Sequence, residues 1–156
     1  GSAQRRFDRD VLAQPGASHV IVFLGINDIR NRGRMPEEEV TATELETGLH
    51  QLAQRARSRS LKIYGGIMLA FENEDFNPPP GMPGLYTPEG EAIRQEVNGW
   101  IRAGGAFDAV IDFEAELADP AHPTRMLPDY DCGGRLNPSD AGYLRMGDII
   151  DLTLFD

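Results

Sequence analysis

Cysteine, positive charge and long apolar runs are what this chain has least of. A single cysteine, Cys132, in 156 residues excludes an internal disulfide. No apolar run approaches the roughly 20 residues that a membrane-crossing helix requires. Lys and Arg number 15 against 25 Asp and Glu, and the net charge of −10 argues against nucleic-acid backbones and anionic membranes as partners. Metal-ligand spacing is lacking as well. Glu72, Glu74 and Asp75 do not follow a calcium-loop pattern, so neither a metal nor another cofactor is expected. No feature assigns a compartment. What remains is 40% hydrophobic and 26% charged, the composition of a folded domain, and the length fits one domain over residues 1–156.

The chain is organised around Val20-Ile21-Val22-Phe23-Leu24-Gly25-Ile26-Asn27-Asp28. Consecutive strand-favouring residues without alternation predict a strand over 19–25, buried on both faces as in a helix-covered parallel sheet. Ligands in such sheets lie beyond the carboxyl ends of the strands, where Asn27 and Asp28 emerge. Asn27 could aim an amide N–H at an oxygen gaining negative charge; the alternative is that Asn-Asp opens a loop. A short helix is predicted over 4–14, with Phe7, Val11 and Leu12 inward, and a polar irregular stretch over 29–40. Helical spacing of Leu45, Leu49, Leu52, Ala53 and Ala56 predicts a helix over 43–58. A second strand follows over 61–69. The proline-rich stretch 70–87 reads as a long loop able to shape a site or simply to face water. Thr87-Pro88-Glu89 reads as the cap and first turn of a helix ending near Ala103. A third strand is expected over 107–113, then a brief helix over 114–118 and a loop over 119–136. Asn137-Pro138-Ser139-Asp140 opens the last helix, with Asn137 as its cap. The order helix, strand, helix, strand, helix, strand, helix predicts a three-layer α/β/α fold with a parallel sheet.

Gly25-Ile26-Asn27-Asp28 after a buried strand, followed by Asn137-Pro138-Ser139-Asp140-Ala141-Gly142-Tyr143, resembles the SGNH (GDSL-type) hydrolase superfamily. Phe7-Asp8-Arg9-Asp10 and Tyr86-Thr87-Pro88-Glu89-Gly90-Glu91-Ala92 extend the likeness over essentially the whole chain, closest to bacterial GDSL-type esterases. The resemblance implies a flavodoxin-like sheet, deacetylation of sugars or hydrolysis of small esters, and no metal. It also implies that a serine attacks the ester carbonyl. An Asp-x-x-His-Pro block before the last helix would activate that serine, while a glycine, an asparagine and the serine N–H would hold the oxyanion.

Departures from that pattern carry as much information. The nucleophile block is absent, as is the block carrying the oxyanion glycine, so the first strands of the family's fold are expected to be missing. Gly134 stands at the position of the catalytic Asp and Asn137 at that of the catalytic His, while Gly25 and Asn27 are retained. An asparagine amide has no basic nitrogen. One oxyanion donor contributes about 2.7–4 kcal/mol to a transition state that other groups must create. The expectation is an esterase-like domain, impaired or inactive alone. Its alternatives are a carbohydrate- or ester-binding module, or one part of a split esterase completed by an N-terminal segment. Asp28, Phe71, Tyr130 and Arg135 are the candidate cleft residues. Ser139, in the first turn of the last helix, is also expected to serve in capping, and a Cys132–His122 pair is chemically conceivable but not demanded by spacing. With the first strands gone, Val20, Ile21, Val22, Phe23 and Leu24 would form an exposed apolar edge, open to self-association or to a complementing N-terminal segment.

Overall fold

The computed structural model describes residues 2–32, 39–73 and 84–156. Three parallel strands, β1 (His19–Val22), β2 (Lys62–Gly66) and β3 (Ala109–Ile111), lie side by side in that order. Val20 stands opposite Ile63, and Tyr64 opposite Ala109. Because successive side chains alternate across a strand, these two registers sort the core into two halves. Val22 and Ile63 pack with α1 (Ala3–Phe7), α3 (Ala42–Arg57) and α4 (Pro88–Ala103). Tyr64 and Ile111 pack on the opposite face with α5 (Phe113–Leu117), α6 (Asp140–Asp148) and a 3-10 turn over Leu152–Phe155. Helices therefore cover both faces of a parallel sheet, the three-layer α/β arrangement expected.

The helix ends follow local chemistry. Thr41 caps α3 through a complete capping box: its hydroxyl accepts from Glu44 N at 3.2 Å, and Glu44 Oε2 accepts from Thr41 N at 2.9 Å. Thr87 caps α4 by accepting from Gly90 N at 3.0 Å, with Pro88 in the first turn. Arg55 fixes α1 to α3 by stacking 5.1 Å from the Phe7 ring centroid and bonding the Gln4 carbonyl at 2.9 Å.

Several elements differ from the sequence expectations. Strand β1 stops at Val22, and Gly25, at φ +112°, turns the chain into α2 (Ile26–Arg30) instead of a loop. Strand β2 ends at Gly66, although residues 67–71 stay buried; β3 is likewise shorter than 107–113, since Phe113 already begins α5. The expected loop over 119–136 contains an antiparallel hairpin, β4 (Ala118–Asp119) with β5 (His122–Met126). Glu72 N donates to the Thr124 carbonyl at 2.9 Å, tying that hairpin to the chain beyond β2. The cap of α6 is Ser139, whose hydroxyl accepts from Gly142 N at 3.2 Å, and not Asn137. Glu74, Asp75, Phe76 and the proline run 78–80 lie outside the described residues.

A buried polar cluster joins α4 to the chain after β2. Arg94, 0% exposed, donates to the Met68 carbonyl at 2.9 Å, to both Glu91 carboxylate oxygens and to Glu114. Asn98, also 0% exposed, accepts from Met68 N at 2.9 Å and donates to Met68 O at 2.8 Å. Burial alone would depress the Arg94 guanidinium, but the Glu91 and Glu114 carboxylates reverse that and hold it above its ordinary value. The edge of the sheet is less well covered. No strand among the described residues pairs with the outer side of β1, and Ile21 (40%), Phe23 (38%) and Leu24 (37%) are exposed there. A groove of about 250 Å³ runs between this edge and α1, with Arg6 and Asp10 on its rim.

Candidate functional site

Beyond the carboxyl ends of β1 and β2 lies a small pocket of about 80 Å³. Phe23, Ile26 and Leu69 form one wall, Leu136 and Pro138 the other, and Arg30, Asn137 and Tyr143 bring polar groups to it. Local structure explains the convergence. The Gly25 turn starts α2, which places Ile26 and Arg30 one helical turn apart on the same side. An added Cβ at Gly25 would stand 3.2 Å from the Met68 sulfur, so this turn rests directly on the Arg94–Asn98 cluster's client residue.

The opposite wall is set by the approach to α6. Ser139 N donates to the Tyr130 carbonyl at 2.7 Å, and Cys132 N donates to the Asn137 carbonyl at 3.2 Å. Gly142 lets the helix start approach closely: a Cβ there would meet Tyr130 O at 2.6 Å and Pro138 Cβ at 2.8 Å. With Ser139 capping the helix, the Asn137 side-chain amide has no hydrogen-bond partner among the described residues. Arg30 donates to the Leu136 carbonyl and lies 4.9 Å from the Phe71 ring centroid. Its Nε is buried without an acceptor, and burial pushes the guanidinium below its ordinary pKa, with the Tyr143 hydroxyl opposing.

The sequence candidates are brought together only in part. Asn137 lines the pocket, while the retained Asn27 is exposed on the first turn of α2. Asp28 lines a different depression with Ser2, Gly25 and Glu44. Phe71 is fully buried beneath Arg30, so it supports the cleft from below. Tyr130 packs into the second core half, and Arg135, at φ +54°, is held through its N–H to Asp131 Oδ1 at 2.7 Å. Gly134 is exposed with nothing within 4 Å of an added Cβ, and its carbonyl accepts from Asn73. Arg30 was absent from the sequence candidates. A lone arginine after Asn-Asp reads as solvated; only the α2 turn and a carbonyl 106 residues away reveal its place.

Every Ser, His and Cys of the chain falls within the described residues, and none lines this pocket. Ser18 Oγ and His19 Nδ1 are 2.7 Å apart, but this pair sits at the start of β1, at the other end of the strand from the pocket. Asp119 Oδ2 and His122 Nδ1 are 3.4 Å apart on the hairpin, followed by Pro123, with the His122 side chain 62% exposed. That Asp-x-x-His-Pro spacing is legible in the sequence, yet it belongs to β4–β5 and not to the start of α6. Cys132 is exposed. No group of three or more His, Cys, Asp or Glu able to hold a metal occurs among the described residues.

The fold has relatives among solved structures. A GDSL-like lipase from Bacteroides thetaiotaomicron superposes with a TM-score of 0.70 at 18% identity, over 97% of this chain and 68% of its own. An acetylxylan esterase from Geobacillus stearothermophilus gives 0.65 at 21%, over 94% of this chain and 63% of its own. This chain therefore spans about two-thirds of their length. No curated protein matches the sequence. The model of the GDSL-like lipase/acylhydrolase family matches residues 1–145, and the chain belongs to that family.

Proposed function

We propose that residues 1–156 of this GDSL-family protein, taken by themselves, bind a small ester or an acetylated carbohydrate without hydrolysing it. The observation that carries this reading is the lining of the pocket beside Asn137, which holds no serine, cysteine or histidine. Acyl transfer to a side chain needs a nucleophile within hydrogen-bond reach of a base. Arg30 and Asn137 donate hydrogen bonds but accept no proton at neutral pH. The acetylated-carbohydrate class follows the relative from Geobacillus stearothermophilus, an acetylxylan esterase.

The apolar β1 edge supports a second element of the proposal: in the 156-residue chain it pairs with a second copy. Residues 20–24 carry no lysine or proline to discourage strand addition. Arg6 and Asp10, 3.7 Å apart on the groove rim, form a patch of both signs that is complementary to itself under a two-fold axis.

The test of the first element is hydrolysis of p-nitrophenyl acetate by the purified chain, beside Asn27→Ala prepared identically. The expected result is background turnover for both. Turnover by the parent that Asn27→Ala abolishes would overturn the reading, and Cys132, His122 and Ser139 would become the residues to replace next.

A further inference from the structure

The pocket beside Asn137 leaves Arg30 short of partners. Among the described residues no carboxylate lies within ion-pair distance of Arg30, whose only hydrogen bond goes to the Leu136 carbonyl. A positive charge withdrawn from water without a counter-charge is costly. Elsewhere the chain avoids that cost. Arg94, which is fully buried, meets the carboxylates of both Glu91 and Glu114. Asn137 is exposed beside the pocket, so its amide is open to a ligand, Ser139 having taken the cap of α6. Both groups border the same space, since Arg30 is anchored to the residue preceding Asn137.

We propose that this pocket is a binding site for a small monocarboxylate, held by the Arg30 guanidinium and the Asn137 amide, with its short alkyl group against Phe23, Ile26 and Leu69. A planar guanidinium matches a carboxylate in shape and charge. An ester offers a neutral carbonyl and would leave the Arg30 charge uncompensated. At about 80 Å³ the pocket is small, of a size for the short chain of acetate or propionate. The depressed pKa of Arg30 is consistent with a charge awaiting its partner. This inference rests on the non-hydrolytic reading and deepens it: the acid, not the ester, is the better ligand of the pocket.

Calorimetric titration with sodium acetate and propionate, against acetamide and methyl acetate at the same ionic strength, tests the proposal. The expected result is saturable carboxylate binding at least tenfold tighter than that of either neutral analogue. Arg30→Met should abolish it and Asn137→Ala should weaken it several-fold, with both variants keeping the parent's thermal midpoint. Equal affinity for acetate and acetamide, absence of saturable carboxylate binding, or full binding by Arg30→Met would each overturn the proposal. If Arg30→Met does not fold, Arg30→Lys serves instead: it keeps the charge, loses the planar fork, and should weaken binding without abolishing it. Carboxylates carry no ester bond, so the titration is independent of turnover. Ester hydrolysis together with carboxylate binding would sink the non-hydrolytic reading alone, whereas neither activity nor binding would sink this inference alone.

Discussion

Arg94 is drawn wholly out of water and Arg30 partly, and the two are treated in opposite ways. Arg94 meets Glu91, Glu114 and the Met68 carbonyl, so its donors and its charge are answered from within the fold. Arg30 meets one carbonyl and the face of Phe71, and its Nε finds no acceptor. A satisfied buried cluster fixes the packing of its neighbours, whereas a half-satisfied one marks a place where something from outside can bind. The difference separates the scaffold of this domain from its site more sharply than burial does.

Arg94→Met is expected to have the largest effect on that contrast. It takes from Glu91 its guanidinium partner and leaves Glu114 with Arg102 alone, and removing one partner of a buried pair costs about 3–5 kcal/mol. Urea unfolding should show the midpoint falling accordingly; a loss comparable with that of a surface change would mean the cluster is not part of the scaffold. Gly142→Ala should come next, at about 1–3 kcal/mol in the same assay, because its Cβ meets the Tyr130 carbonyl backbone at 2.6 Å.

Acid should act on the scaffold as well. Burial raises the Asp112 carboxyl, but the Arg102 guanidinium and the Ala115 N–H outweigh it and hold the group below the usual carboxylate range. A depressed folded pKa adds stability above the unfolded value of about 3.9, and that contribution is lost as pH falls through the folded value. Unfolding free energy should therefore decline on acidification below about pH 4, and less steeply in Asp112→Asn. Ile21→Lys on β1 should leave stability within about 0.5 kcal/mol and lower the mass seen by light scattering; unchanged mass would remove the edge from consideration. The smallest effect belongs to the site. Gly134→Asp with Asn137→His places an acid and a base where the family resemblance implies them, on exposed positions, and should shift stability by no more than about 0.5 kcal/mol. Without a nucleophile in reach, p-nitrophenyl acetate turnover should stay at background.

The scaffold was the legible half of this molecule. Helices α3 and α4 announce themselves by apolar spacing and by the caps Thr41 and Thr87, signals confined to a few neighbouring residues. The five-residue α2 has no periodicity to read, and the hairpin hides behind Pro123 and polar neighbours. In Asn-Pro-Ser-Asp two residues compete for the cap; Ser139 prevails where Gly142 closes against Tyr130, a contact that spacing does not encode. Gly25, Asn27, Gly134 and Asn137 stood out through a family pattern. Arg30 did not, because its meaning depends on Leu136 and Phe71, both distant in sequence.

Asn98 acts as a surrogate strand. Past Gly66 the chain leaves the ladder, yet at Met68 one amide side chain supplies both the acceptor and the donor that a neighbouring backbone would have supplied. A helix residue thus lengthens the sheet by one rung without adding a strand. Since Met68 is also the residue on which the Gly25 turn sits, helix α4 sets the height of the floor beneath α2. The position of Arg30 is in that sense surveyed from α4.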